Sequence, residues 1–142
     1  IVCGYTKTGK LMIAKKLATE LNRILLVSDD YHNFDPKNSL ELLMNDILNF
    51  RQKGIPIIVE GVLSFRLLRK SIKLNNFTPD VIIKTECNEK TIKYFYNRDG
   101  ESNKIIPALG FNEGLNKIWN EYLSLLSLTT KQIPLIKLNT SI

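Results

Sequence analysis

The chain has 142 residues, a length that suits one domain around a single core. Its hydrophobic content of 44% and charged content of 24% are those of an ordinary globular protein; no apolar run approaches a membrane span, and no signal-peptide pattern opens the chain. The net charge of +6 is spread out and has no aromatic-basic stacking motif beside it, so the expected partners include neither membrane nor nucleic acid, and the charge reads as a lysine-rich surface or a site for an anionic ligand.

The first element is the apolar run Ile1–Gly4, read as a strand. Because it begins on Ile1 rather than Met, residues ahead of it are expected to be missing, and the end at Ile142 is expected to be clipped as well. It leads into Gly4-Tyr5-Thr6-Lys7-Thr8-Gly9-Lys10-Leu11, which fits the phosphate-gripping pattern G-x-x-x-x-G-K-[ST] at seven of eight positions. Ile13, Ala14, Leu17, Ala18 and Leu21 then fall on one helical stripe.

Residues 23–28 form a compact strand that ends at the acidic pair Asp29 and Asp30. Residues 33–38 carry turn chemistry. Asn38 with Glu41 three residues later predicts a capping-box start for a helix that aligns Leu40, Leu43, Met44, Ile47 and Phe50. Residues 53–61 give a turn glycine, a run apolar on both faces, then Glu60 and Gly61. A run without alternation suits a central parallel strand. A helix over 64–74, a strand over 79–87 and a helix over 88–99 follow. After the polar stretch 99–104, a final helix over 112–126 aligns Leu115, Ile118, Trp119, Tyr122 and Leu126, and a fifth strand closes the chain over 133–140.

Strands alternate with helices throughout, which predicts an α/β fold of three layers with a five-stranded parallel sheet and helices on both faces. It is expected as one domain over 1–142 with a short lid around 98–112. In such sheets ligands bind at the carboxyl ends of the strands. The glycine loop, Asp29 and Asp30, Glu60, and Asn139 and Thr140 of the closing "LNTS" all fall there.

In a loop of this kind backbone N–H groups curl round phosphates, the helix N-terminus adds its positive end, and Lys10 reaches the β- and γ-phosphates. The eighth position should carry a hydroxyl for Mg²⁺. Leu11 cannot supply one; it either faces the phosphates or is buried in the core. Thr6 and Thr8 lie in the loop, but their side chains need not face the metal. The remaining ligands are Asp29, Asp30 and Glu60, directly or through water, since Mg²⁺ keeps several waters. A carboxylate ending a buried strand, as Glu60 does, is costly unless linked to a metal or paired with a loop lysine. An acceptor hydroxyl needs a carboxylate to take its proton. Neighbouring strand residues point to opposite faces, so one of Asp29 and Asp30 faces the cleft, unless both cap the following turn.

His32 is either structural or, with Tyr31 and Asn33, part of an acceptor pocket. Arg66 and Arg69 are solvated or contact phosphate. Arg98 and Asp99, before the "GESNK" stretch, either belong to a segment that closes over the phosphates or end a helix where the dipole favours Arg. Trp119 and Tyr122 read as core. Cys3 and Cys87 match no zinc or redox spacing and read as buried thiols of a reducing compartment.

The pieces "GYTKTGK", "LLVSDDYHNF", "SLELLMNDILNFRQKGIPIIVEG", "DVIIKTE" and "YNRD" occur in this order. They resemble the P-loop nucleoside-kinase group of uridine kinases, nicotinamide riboside kinases and phosphoribulokinase-like relatives, over nearly the whole chain. The resemblance implies a P-loop NTPase fold with strand order 2-3-1-4-5, Asp30 as general base, Glu60 at magnesium, Lys10 at phosphate and Arg98 near the lid. The chain departs from the group at Leu11. Its lid lacks an arginine-rich stretch, which leaves Lys104 as the nearest cation. The interval between Asp30 and Glu60 is shorter than in uridine kinases, which insert a nucleoside-binding hairpin there, so a uridine or cytidine acceptor is not expected.

The expected function is that of a cytoplasmic, ATP- and Mg²⁺-dependent kinase acting on a hydroxyl of a nucleoside-like or other small metabolite. Catalysis is expected from Asp30, Lys10 and Arg98. Nucleotide contacts are expected from Gly4, Tyr5, Thr6, Lys7, Thr8, Gly9, Lys10, Leu11, Arg98, Asn139 and Thr140, and metal contacts from Glu60, Asp29 and Asp30. Two other classes stay open: a nucleotide-binding protein that has lost its chemistry and acts by interaction, and a P-loop hydrolase. The hydrolase is disfavoured because no Gln or Asn stands out to position a water. The sequence carries no signature of the acceptor or of an oligomeric state.

Overall fold

The computed structural model describes residues 1–141, and Ile142 lies outside the described residues. Its strands are β1 (Val2–Gly4), β2 (Ile24–Val27), β3 (Ile57–Glu60), β4 (Ile82–Glu86) and β5 (Leu135–Asn139). Its helices are α1 (Lys10–Leu21), α2 (Ser28–Phe34), α3 (Ser39–Gln52), α4 (Ser64–Leu74), α5 (Glu89–Arg98) and α6 (Ile105–Ser127), with a 3₁₀ turn over Ser102–Lys104. The sheet is wholly parallel, in the order β2-β3-β1-β4-β5. Class, strand order and helices on both faces agree with the sequence reading.

The period of two along each strand sorts the core into two layers. Val2 and Ile58 pack with Ala14 of α1 on one face. Their chain neighbours Cys3 and Val59 turn to the other face. There Cys3 joins Phe65, Leu68, Trp119 and Tyr122 of α4 and α6, and Val59 joins Leu43, Met44 and Ile47 of α3. This is why β3 reads as apolar without alternation: both its faces are covered. Phe65 and Trp119 meet edge to face at 6.0 Å, an arrangement that adds about 0.5–1.5 kcal/mol to the gain from burial.

Three local expectations change. Asp29 and Asp30 do not end a strand; β2 stops at Val27 and both sit in the first turn of α2. A short helix with two carboxylates at its positive end is electrostatically favoured. With 3.6 residues per turn the two side chains diverge by about 100° rather than pointing to opposite faces. Second, Asn38 precedes α3 but its side chain forms no cap hydrogen bond; its Nδ2 donates to Asp35 Oδ2 at 3.0 Å. Third, α6 begins at Ile105 and not at residue 112, so the expected lid is the end of α5, the 3₁₀ turn and the first two turns of α6. Pro107 sits in the first turn of α6, where its missing N–H forfeits no helical bond. Among the described residues no helix is long and apolar enough to cross a membrane.

Candidate active site

The Gly4–Lys10 loop joins β1 to α1, and its curl comes from two left-handed residues, Lys7 (φ 59°) and Gly9 (φ 76°). Gly4 lies so close to β4 that a Cβ there would fall on Thr85 Oγ1 and against the Thr85 carbonyl. Thr8 is turned inward. Its hydroxyl, 1% exposed, donates to the Tyr5 carbonyl at 2.8 Å and shares a 2.6 Å hydrogen bond with Thr85 Oγ1. It therefore faces the sheet rather than a metal. Lys10 Nζ reaches back to the Tyr5 carbonyl at 3.0 Å.

Helix α6 buttresses the loop from the side. Thr6 N donates to Asn112 Oδ1 at 3.2 Å, and Tyr5 Oη donates to Asn116 Oδ1 at 3.0 Å. Beneath it, the buried Lys84 of β4 donates to Glu86 Oε1 at 3.1 Å and lies over the rings of Tyr5 and Trp119. Lys7 pairs with Asp99 at 2.8 Å, and Asp99 also accepts from Arg98 Nε at 3.0 Å. These two cations hold the Asp99 carboxyl below its ordinary value, Lys7 first and Arg98 second. Arg98 is thus one carboxylate away from the loop. Among the described residues, the backbone N–H groups of Lys7, Thr8 and Gly9 make no hydrogen bond, so the concave side of the loop presents free donors.

Glu60 ends β3, paired in register with Val2 and Val27, and is 4% exposed. It makes no ion pair with Lys10. The two charges still act on each other. Burial pushes the Lys10 ammonium below its ordinary value, against the pull of Glu60 first and Asp29 second. Burial pushes the Glu60 carboxyl up; Lys10 opposes that, and Asp29 and Asp30 reinforce it. Of the two aspartates of α2, Asp29 is the one whose charge reaches Lys10.

Asp29 and Asp30 are both exposed and part company on α2. Asp29 lines a cavity of about 320 Å³ with Ser28, His32 and Arg66. Asp30 lines a separate groove with Tyr31, Phe34 and Asp46. Tyr31 donates to Asp46 of α3 and anchors α2 there. Asn33 is exposed and is not among the residues lining the His32 cavity. Gly61 holds φ 130°, and a Cβ there would strike Ser28, so the glycine after Glu60 lets α2 approach β3.

Leu11 is 39% exposed in the first turn of α1 and is not a core residue. Asn139 ends β5 and Thr140 follows it, with Thr140 N donating to the Glu86 carbonyl at 2.8 Å. Arg69 pairs with Glu121 of α6 at 3.0 Å, both partly exposed. Trp119 and Tyr122 are core, as expected. Both cysteines are unpaired, Cys3 buried and Cys87 half-buried. Among the described residues no group of three or more His, Cys, Asp or Glu side chains converges to hold a metal ion. Glu60, Asp29 and Asp30 therefore do not form a three-carboxylate site. Glu60 with one aspartate and waters still matches what Mg²⁺ accepts.

Sequence reasoning passes over Thr85, Lys84, Asn112, Asn116 and Ser28. The signals are present: Lys84 and Thr85 are polar residues inside an apolar strand, and Asn112 and Asn116 are one helical turn apart beside the Leu115 and Trp119 stripe.

No protein-family model matches the chain, and none of the curated proteins does. Among solved structures the chain is similar to a "putative kinase" from Chloroflexus aurantiacus. That likeness covers 99% of this chain and 88% of the other, with a TM-score of 0.62 and 16% identity. At that identity it is a likeness of fold: both chains share the three-layer α/β architecture.

Proposed function

We propose that the protein is a phosphotransferase that moves the γ-phosphoryl group of ATP to a hydroxyl of a small metabolite. One observation carries the reading. At the mouth of a loop with free N–H donors, the half-buried Lys10 and the buried Glu60 carry opposite charges that act on each other without forming an ion pair. Buried charges left unpaired are costly, and a phosphate against Lys10 with a cation against Glu60 relieves both. The kinase-like fold is consistent with this.

In this reading the loop N–H groups and Lys10 hold the β- and γ-phosphates. Glu60 and one aspartate hold Mg²⁺, whose chemistry is to neutralise phosphate charge. Asp29 is favoured over Asp30 as base, because its charge reaches Lys10 and it borders a cavity large enough for an acceptor. The acceptor oxygen bonds to the γ-phosphorus while the bond to the β–γ bridging oxygen breaks. The hydroxyl proton passes to the Asp29 carboxylate, and ADP leaves. In this reading Arg98, which shares Asp99 with Lys7 of the loop, is the cation that meets the transferring group once it leaves Asp99.

Calorimetric titration with ATP tests the loop. Lys10→Ala should weaken binding at least tenfold, about 1.4 kcal/mol; unchanged affinity would sink the assignment. Asp29→Asn should then lower kcat far more than KM, with Asp30→Asn the milder variant; the reverse ranking returns the base to Asp30. A second reading is favoured by Leu11, which withholds the usual metal ligand: a nucleotide-binding protein without chemistry. It predicts nucleotide binding that does not respond to magnesium.

A further inference from the structure

The cavity beside Asp29 carries a charge that the transfer chemistry does not use. Arg66 projects from α4 into its lining, and among the described residues it makes no ion pair or hydrogen bond. Arg69, one turn further along the same helix, is paired with Glu121. A guanidinium offers five donors in a planar fork that matches carboxylate and phosphate oxygens. A second group also lacks a partner: Ser28 is 1% exposed, lines the same cavity, and its hydroxyl has no hydrogen bond among the described residues. Such buried groups are normally satisfied.

The rest of the lining limits what can enter. His32 adds a polar ring, while Val62, Leu63 and Phe111 give an apolar floor and one aromatic face. The volume of about 320 Å³ lies at the small end of ligand sites and suits a molecule of monosaccharide size. Its polar groups lie at Ser28, Asp29 and His32, and its cation at Arg66.

We propose that this cavity is the acceptor site and that Arg66 makes it selective for a hydroxylated acid: a small polyol bearing a carboxylate or a phosphate, rather than a neutral nucleoside. Ser28 and Asp29 take the hydroxyl end, and Arg66 takes the oxyanion. This inference rests on the kinase reading for the identity of the cavity's ligand as an acceptor, but the anion site itself does not require phosphoryl transfer.

The test uses matched sets that differ in charge: glucose, gluconate and glucose 6-phosphate; ribose and ribose 5-phosphate; and uridine as the neutral nucleoside. Binding is measured by calorimetry with a non-hydrolysable ATP analogue present, and transfer is measured separately as ADP and phosphorylated product. The acid members should bind at least tenfold tighter than their neutral counterparts. Arg66→Met should erase that difference while leaving ATP-analogue affinity unchanged, and Arg66→Lys should restore part of it. Carboxylate and phosphate members then show which oxyanion is preferred. Equal binding of neutral and charged members, an Arg66→Met effect equal on both, or no binding of any acid at millimolar concentration overturns the proposal. Acid binding that depends on Arg66 without any transfer upholds the anion site and counts against the kinase reading instead.

Discussion

The Gly4–Lys10 loop and helix α2 border the same group of charges, yet they are held in different ways. The loop is fixed by contacts from three directions: Thr85 of β4 below, Asn112 and Asn116 of α6 beside it, and Asp99 beyond α5. Its concave N–H groups are left free while its side chains are pinned. Helix α2 hangs on Tyr31 bonded to Asp46 and on Ser28 against Gly61, and Asp29, Asp30, His32, Asn33 and Phe34 are all exposed. A preformed loop loses little freedom when phosphate arrives. A lightly tethered wall with an unpaired Ser28, facing the unpaired Arg66 of α4, can adjust to a second ligand. The comparison argues for a fixed anion site facing an adaptable one.

The largest expected effect comes from breaking the fixed side. Gly4→Ala drives a methyl group onto Thr85, including its backbone carbonyl, so β1 and β4 must separate. Chemical denaturation should show a loss of about 1–3 kcal/mol, the usual cost of forcing extra volume into a packed site. A loss within error would mean that the loop is not rigidly seated. Thr85→Val is the milder break. It keeps the shape and removes one partner of Thr8, whose hydroxyl keeps its bond to the Tyr5 carbonyl. About 1 kcal/mol should be lost in the same measurement, with weaker ATP binding if Thr8 sets the curl of the loop.

What the sequence makes legible divides along the same line. The fixed side is local: two glycines and a lysine at set spacing between a strand and a helix announce its shape. The run "GIPIIVEG", apolar without alternation, marks a strand covered on both faces, while the strand order comes from the resemblance to the P-loop kinase group. The adaptable side is hidden. Ser28–Phe34 has no apolar stripe to mark it as a helix, and whether Asp29 or Asp30 approaches Lys10 depends on that helix turning. The support of the loop is hidden too, because Thr8 and Thr85 are 77 positions apart. The start of α6 is hidden as well: the expected helix opens at residue 112, yet α6 runs from Ile105 with Gly110 exposed inside it, packed by α4 and α5.

Glu60 lies between the two sides, and pH sharpens its role. Burial raises its carboxyl above the ordinary 4.5. The folded protein therefore binds that proton more tightly than the unfolded chain does, and stability falls as pH rises through the window that opens near 4.5. Glu60→Gln removes the charge. Without ligand, the variant should melt above the native protein at pH 7, and the gap should close as pH drops below 4.5. It should also need more magnesium for activity. A variant less stable at every pH would instead make Glu60 a structural partner of Lys10.

The smallest effect on stability, and the finest test of the cleft, belongs to Leu11. Its side chain is 39% exposed on the first turn of α1, so Leu11→Thr gives up little packing. The cost should be about 0.5 kcal/mol, close to the helix-propensity difference alone, and a melting curve checks it. If the enzyme works with water where a hydroxyl normally sits, the new threonine supplies the missing oxygen. The magnesium concentration for half-maximal rate should then fall. Nucleotide affinity should hardly change, because the loop N–H groups and Lys10 are untouched. A core-sized loss of about 1–3 kcal/mol with unchanged magnesium dependence would mean that position 11 packs inward in solution. Unchanged stability with unchanged magnesium dependence would mean that the metal lies elsewhere, held by Glu60 and α2 without help from α1. Nucleotide binding without transfer in either protein would leave a cleft that grips phosphate and performs no chemistry, the outcome that favours an interaction protein.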